Sequence, residues 1–189
     1  MNDAGRDGGR QLKRTVEKYL TDPPRFATRA KPPPRRGEPD QPTTLVPVYR
    51  VQLVEERKIA VERAQVRTTA QAARLVDRYM DRPDREMFVV VLLDDCCAVM
   101  GLHTAHIGCL ESTPADPRDI YKPAILRNAS RIVVAHNHVD GPVRPSRDDR
   151  ALTVRLAKAG EALGVKLNDH IIIGKSWRDR YSFLDAGLL

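Results

Sequence analysis

His136-Asn137-His138 is followed by seven residues, then Ser146, then two residues, then Asp149. Two imidazoles and a carboxylate this close in sequence can supply the three protein ligands of a catalytic zinc site, with water in the fourth position. A tetrahedral set of nitrogen and oxygen donors favours zinc. Ser146 adds a hydroxyl that can accept one hydrogen bond and still donate its own proton.

The flanking residues explain how such a set could meet. Arg131-Ile132-Val133-Val134-Ala135 is a short apolar run suited to a buried strand. Side chains at i and i+2 of a strand share a face, so His136 and His138 can aim at one ion while Asn137 points away. Gly141, Pro142 and Pro145 force a turn. Ser146 then opens a helix in which Leu152, Leu156, Ala159 and Leu163 recur at helical spacing. Asp149 falls in its first turn, from which a carboxylate reaches back toward the strand end. Each piece alone has a plainer reading. Ser-x-x-Asp before a periodic apolar run is a helix-capping signature, and a histidine at a strand end is often only hydrogen-bonded. The conjunction of strand, His-x-His, turn, Ser, Asp and helix is what favours a metal.

At these residues the chain resembles a known family. His-x-His, seven residues, Ser, two residues, Asp is the JAMM signature of JAB/MPN metalloproteases. Pro145-Ser146 and Asp169-His170-Ile171-Ile172-Ile173-Gly174 resemble the RadC-like branch. The likeness runs from about residue 48 to the C-terminus. It departs at Val139 and Asp140, where RadC-like proteins usually read Pro-Ser. The helical N-terminal domain of full-length RadC proteins has no counterpart in the chain, which therefore resembles a short variant.

The resemblance implies an α/β fold with a mixed, curved sheet flanked by helices, in cytidine-deaminase-like layering. It implies that His136, His138 and Asp149 hold Zn2+ and that an upstream glutamate acts as general base. Glu86 matches, just before Met87 to Leu93, the longest apolar run of the chain. Glu111, in a polar Glu-Ser-Thr-Pro stretch, is the reserve candidate. Ser146 would donate to a developing oxyanion. The implied activity is hydrolysis of an amide or isopeptide bond in a peptide or protein substrate.

Charge is concentrated at the N-terminus. Residues 1–36 hold ten Lys/Arg and four Asp/Glu, a net +6 of the total +7. Eight of the fourteen prolines lie between Pro23 and Pro47, which reads as an extended linker. The expected organisation is a basic, proline-rich, mostly disordered tail over 1–45 and a folded domain over 46–189. Leu12, Val16 and Leu20 recur among Arg10, Lys13, Arg14 and Lys18, a short basic amphipathic pattern. A solvated tail and a nucleic-acid contact through residues 1–36 are both open readings. No stretch approaches the roughly 20 apolar residues of a membrane span, and the first residues lack a secretory h-region. Cys96, Cys97 and Cys109 form neither a metal spacing nor an even disulfide set, so a reducing cytoplasm is expected.

Further elements follow from pattern. Tyr49, Val51 and Leu53 alternate as in a half-buried strand, and a second strand is expected from Ile59 to Val66. Thr68 or Thr69 caps a helix to about Met80. Strands are expected at Met87–Asp94 and Ala98–Ile107, with Cys96 and Cys97 in the turn between them. A helix from Pro117 to about Asn128 follows, and Gly164 ends the Asp149 helix before strands at Val165–Gly174 and Arg180–Phe183. His103 and His106, three apart in a strand, should face opposite sides and not be ligands. His170 reads as a core histidine, with a role behind the metal as the sharper option. Trp177 and Tyr181 read as packing residues.

Two other classes compete with a hydrolase. One is a DNA-associated protein using the basic tail, although no helix-turn-helix, zinc-finger or RNA-binding signature is present. The other is a non-catalytic MPN scaffold, against which the intact ligand set argues. A zinc nucleobase deaminase is excluded because its H-x-E and P-C-x-x-C pieces are missing.

Overall fold

A computed structural model describes residues 45–61, 65–81, 83–108, 115–139 and 142–189. Residues Tyr49–Leu189 form one compact unit. In chain order its elements are α1 (Thr69–Met80), β1 (Met87–Leu93), β2 (Val99–Ile107), α2 (Pro117–Arg127), β3 (Arg131–Asn137), α3 (Arg147–Leu163), β4 (Lys166–Ile173) and β5 (Arg180–Ser182). The tail reading of residues 1–36 and the reserve candidate Glu111 fall outside the described residues.

The strands make one sheet in the order β2-β1-β3-β4-β5. β1 is antiparallel to β2 and to β3, β3 is parallel to β4, and β5 returns antiparallel along β4. The sheet is therefore mixed, as expected. Helices cover both faces, which is why β1 and β3 are apolar throughout rather than alternating. On one face α1 packs Ala72, Ala73, Val76 and Met80 against Val89, Val91, Val133, Ala135 and Ile171. On the other, α2 and α3 pack Ile120, Tyr121, Leu152 and Leu156 against Phe88, Val90, Val134 and Leu167. Each fully buried Val, Leu, Ile or Phe is worth roughly 1.5–3 kcal/mol relative to exposure. Register shifts between Phe88/Val89, Leu92/Leu93 and Ile132/Val133 interrupt the ladders, the kind of irregularity that bends a sheet.

The helix ends follow the sequence signals. Thr68 caps α1 and forms a reciprocal box with Gln71. Asp116 caps α2 with Pro117 at the first turn, where a missing N–H costs nothing. Gly164 closes α3 at φ 70°, a conformation that suits glycine. The Asp94–Ala98 turn is held by the Asp94 carboxylate, which accepts from the N–H groups of Cys96 and Ala98.

Three expectations are corrected. Tyr49, Val51 and Leu53 form no strand and are 82%, 68% and 46% exposed. Alternation alone cannot make a strand without a sheet edge to pair with. The expected strand over Ile59–Val66 reduces, among the described residues, to an isolated bridge between Gln65 and Ala98. His103 and His106 do not face opposite sides. His103 pairs with Val90 and His106 with Phe88, while Val89 pairs with Thr104. Ala105 is the extra residue of a bulge, so the usual alternation slips by one and both histidines lie on the face of Phe88 and Val90.

Candidate metal centre

β3 and α3 bring the three residues together. His136 is the last apolar-face position of β3 before its end, opposite Phe88 of β1 and Ile172 of β4. It is fully buried, and its ring stacks on Phe88 with centroids 5.8 Å apart and planes 9° apart. His138 follows just beyond the strand, where its backbone N–H still donates to the Ile173 carbonyl at 2.9 Å. Asp149 sits in the first turn of α3 and is buried.

Their donor atoms converge. His136 Nε2 is 3.1 Å from His138 Nε2 and 3.2 Å from Asp149 Oδ1. His138 Nε2 is 3.9 Å from Asp149 Oδ2, and one donor atom from each residue lies within 4.8 Å of the others. Tetrahedral zinc with bonds of about 2.0–2.1 Å sets its ligand atoms about 3.3 Å apart. The cluster therefore has the spacing and the donor set to hold a metal ion.

Hydrogen bonds aim the donors. His138 Nδ1 is 2.9 Å from the Pro142 carbonyl. A carbonyl can only accept, so Nδ1 carries the proton and Nε2 presents its lone pair to the cluster. On Asp149, Oδ2 accepts from the Ser146 N–H at 2.7 Å and the Ser146 hydroxyl at 2.6 Å. Oδ1 is left facing His136. Burial would raise the Asp149 pKa, but the hydrogen bond and charge of His136, then the two Ser146 bonds, outweigh it. Asp149 is held well below the usual carboxylate range.

Ser146 is the N-cap of α3, accepting from the Asp149 N–H at 3.0 Å. The capping reading is thus realised. The hydroxyl has one proton, and it points at Asp149 Oδ2. Donation to an oxyanion requires that proton to turn.

Glu86 lies immediately before β1 and is partly buried. Its carbonyl accepts from the Gly108 N–H at 2.8 Å, so pairing with β2 extends to it. By strand parity it belongs to the face of Phe88 and His136, at the end of the sheet where β3 finishes. What the sequence reading missed is how it is held. Asn137 does point away from the histidines, but not idly. Its Oδ1 accepts from the Met87 N–H at 2.8 Å and its Nδ2 donates to the Arg85 carbonyl at 3.2 Å. The Asn137 amide thus grips the backbone on both sides of Glu86. An asparagine between the two histidines was the visible signal, since its amide offers both a donor and an acceptor.

His170 stands directly behind His136, with Nε2 3.0 Å from His136 Nδ1. It is fully buried and stacks on Phe183 at 4.9 Å. Burial first, then the neighbouring His136, pushes its pKa well below the ordinary histidine value. Asp169, its neighbour, faces the other way and accepts from Ser182 at 2.7 Å, Thr69 at 3.2 Å and the Leu184 N–H at 3.0 Å. His103 and His106 are not part of the cluster.

Fold and cluster together define a layered α/β domain with a candidate metal centre of the JAMM pattern at the end of its central strands. The model of the RadC-like JAB domain matches residues 66–188, and the chain belongs to that family. It is similar to a UPF0758 protein of Rubrobacter xylanophilus, 43% identical over 106 residues, 56% of this chain and 45% of the relative. A UPF0758 protein of Thermotoga maritima is 42% identical over 106 residues, 56% of this chain and 47% of that one. One from Salinibacter ruber is 36% identical over 120 residues, covering 64% and 52%. The chain spans about half the length of these relatives. Among the described residues no helix is long and apolar enough to cross a membrane.

Proposed function

We propose that the chain is a zinc-dependent metallohydrolase of JAMM type that cleaves an amide or isopeptide bond in a peptide or protein. The observation that carries this reading is the convergence of His136 Nε2, His138 Nε2 and Asp149 Oδ1 at the end of β3. Zinc bound by these three would bring the pKa of a water down to about 7, making hydroxide available at neutral pH. Glu86 takes the proton from water and returns it to the leaving amine. Asn137, by gripping the chain on both sides, keeps Glu86 at the strand mouth. Ser146 turns its hydroxyl proton toward the substrate carbonyl oxygen as negative charge develops there.

The purified full-length chain is expected to retain close to one zinc per molecule after dialysis, measured by elemental analysis. His138→Ala is expected to abolish tight binding, because two ligands cannot close the site. Zinc-loaded protein is then assayed on peptide and isopeptide substrates. A wild type that neither carries nor takes up zinc would sink the reading.

A further inference from the structure

Behind the candidate metal cluster lies a chain of buried contacts that ends on a backbone carbonyl. His136 Nδ1 meets His170 Nε2 at 3.0 Å. His170 Nδ1 meets Thr153 Oγ1 at 2.7 Å. Thr153 Oγ1 meets the carbonyl oxygen of Asp149 at 2.6 Å. His136, His170 and Thr153 are all essentially inaccessible to water.

The direction of every hydrogen bond in this chain follows from its last member. A carbonyl oxygen accepts and never donates, so the single Thr153 proton goes to Asp149 O. With its proton spent, the Thr153 oxygen must accept from His170 Nδ1–H. Among the described residues the ring nitrogens of His170 bond only His136 and Thr153, and a fully buried imidazole without a bonded carboxylate is neutral. It has one N–H, so His170 Nε2 is a lone pair. That lone pair can only accept, which puts a proton on His136 Nδ1. The opposite nitrogen, His136 Nε2, is the one that faces His138 and Asp149.

We propose that His170 and Thr153 are positioning residues that fix a proton on His136 Nδ1, so that Nε2, which otherwise bonds Asp149, is the nitrogen a metal can take in exchange for a proton. For its purpose, though not for its geometry, this rests on the metallohydrolase reading. The relay starts and ends on residues of the cluster, because Thr153 lies one helical turn beyond Asp149 and bonds its backbone. It therefore ties the strand that carries one ligand to the helix that carries another. Outer partners of this kind typically change metal affinity by about 10–100-fold when removed. His138 reaches the same tautomer through the Pro142 carbonyl alone, so the two histidines are set by independent devices.

The test uses the full-length chain with histidine labelled by nitrogen-15, and zinc as the probe. Long-range proton–nitrogen spectra report which ring nitrogens carry protons. The wild type is expected to show His136 protonated on Nδ1, and His170 protonated on Nδ1 with Nε2 bare, before and after zinc is added. Thr153→Val preserves shape and removes the hydroxyl. It is expected to let His170 populate both tautomers and to weaken zinc binding about tenfold. His170→Phe keeps the stack on Phe183 but removes the acceptor, with an expected loss of about 10–100-fold. His170→Gln restores an acceptor and is expected to recover most of that loss. Should His170→Phe fail to fold, Thr153→Val and the wild-type spectra decide the matter. His136 protonated on Nε2 alone, or wild-type zinc affinity in folded Thr153→Val, overturns the relay. A wild type with the Nδ1–H tautomer that binds no zinc supports the relay and overturns the metallohydrolase reading.

Discussion

Glu86 and Ser146 are the residues whose proposed roles separate most cleanly from metal binding. Glu86→Gln is nearly isosteric but cannot take a proton. It is expected to keep its zinc and its thermal midpoint while turnover falls roughly 10²–10⁴-fold, the range for a lost general base. Unchanged turnover would move the base to another group, with Glu111 tested next. For Ser146 the structure sharpens the experiment, because its hydroxyl both caps α3 and bonds Asp149 Oδ2. Ser146→Ala is expected to cost about 1 kcal/mol as a lost cap, and Ser146→Gly only a few tenths. Turnover counted per bound zinc is expected to fall about 100-fold or more in the glycine variant if the hydroxyl serves the oxyanion. A glycine variant with full turnover per zinc leaves Ser146 as a cap and an orienter of Asp149.

Between elements, the contact that matters most for the site is the clasp of β3 on the entry to β1. Asn137 bonds the backbone at Met87 and Arg85, and Glu86 lies between them. Asn137→Ala strands the Met87 N–H and the Arg85 carbonyl. The expected cost is about 1–3 kcal/mol of stability, read by denaturant unfolding. Turnover is expected to fall because Glu86 is no longer held, while zinc content stays near wild type because both histidines remain. A variant that unfolds as the wild type does, with full activity, would show that β1 is held at this end without the amide. The same face, away from the histidines, carries a second clasp on β4. Asp169 gathers Thr69 at the start of α1, Ser182 of β5 and the N–H of Leu184, so one buried carboxylate ties β4 and the C-terminal residues to a helix start 100 residues away.

For the whole molecule, charge and core are segregated. The net +6 of residues 1–36 leaves +1 for the rest, while among the described residues the two buried clusters run from Val66 to Ile173. Removal of residues 1–42 is therefore expected to leave a cooperatively folding chain that still takes up zinc, as judged by a thermal transition and metal analysis. We propose that residues 1–36 contact nucleic acid. Affinity of the full chain is then expected to fall steeply with added salt and to be lost on the deletion. Loss of the thermal transition on truncation would instead make the tail part of the folded unit.

Local pattern was enough for much of this molecule. Thr68, Ser146 and Gly164 mark helix ends because capping is a contract between neighbours in sequence. The apolar runs of β1 and β3 declare strands buried on both faces. His136, His138 and Asp149 are legible because a strand, a turn and a helix start are all that separate them. Ser146 as a cap was equally local. Other features depend on which strands become neighbours. Tyr49, Val51 and Leu53 have the alternation of a strand yet no partner, since strand hydrogen bonds belong to pairs. His103 and His106 share a face only because Ala105 bulges out of register with β1. Asn137 could be seen to point away from the histidines, but its grip on Arg85 and Met87 needed the antiparallel pairing of β1 with β3. His170 lies 34 residues from His136, and only the parallel pairing of β3 with β4, closed by α3, sets its ring against that ligand and Thr153. Spacing within one segment carries chemistry on its own, whereas the direction of a buried hydrogen-bond chain exists only once separate segments are packed.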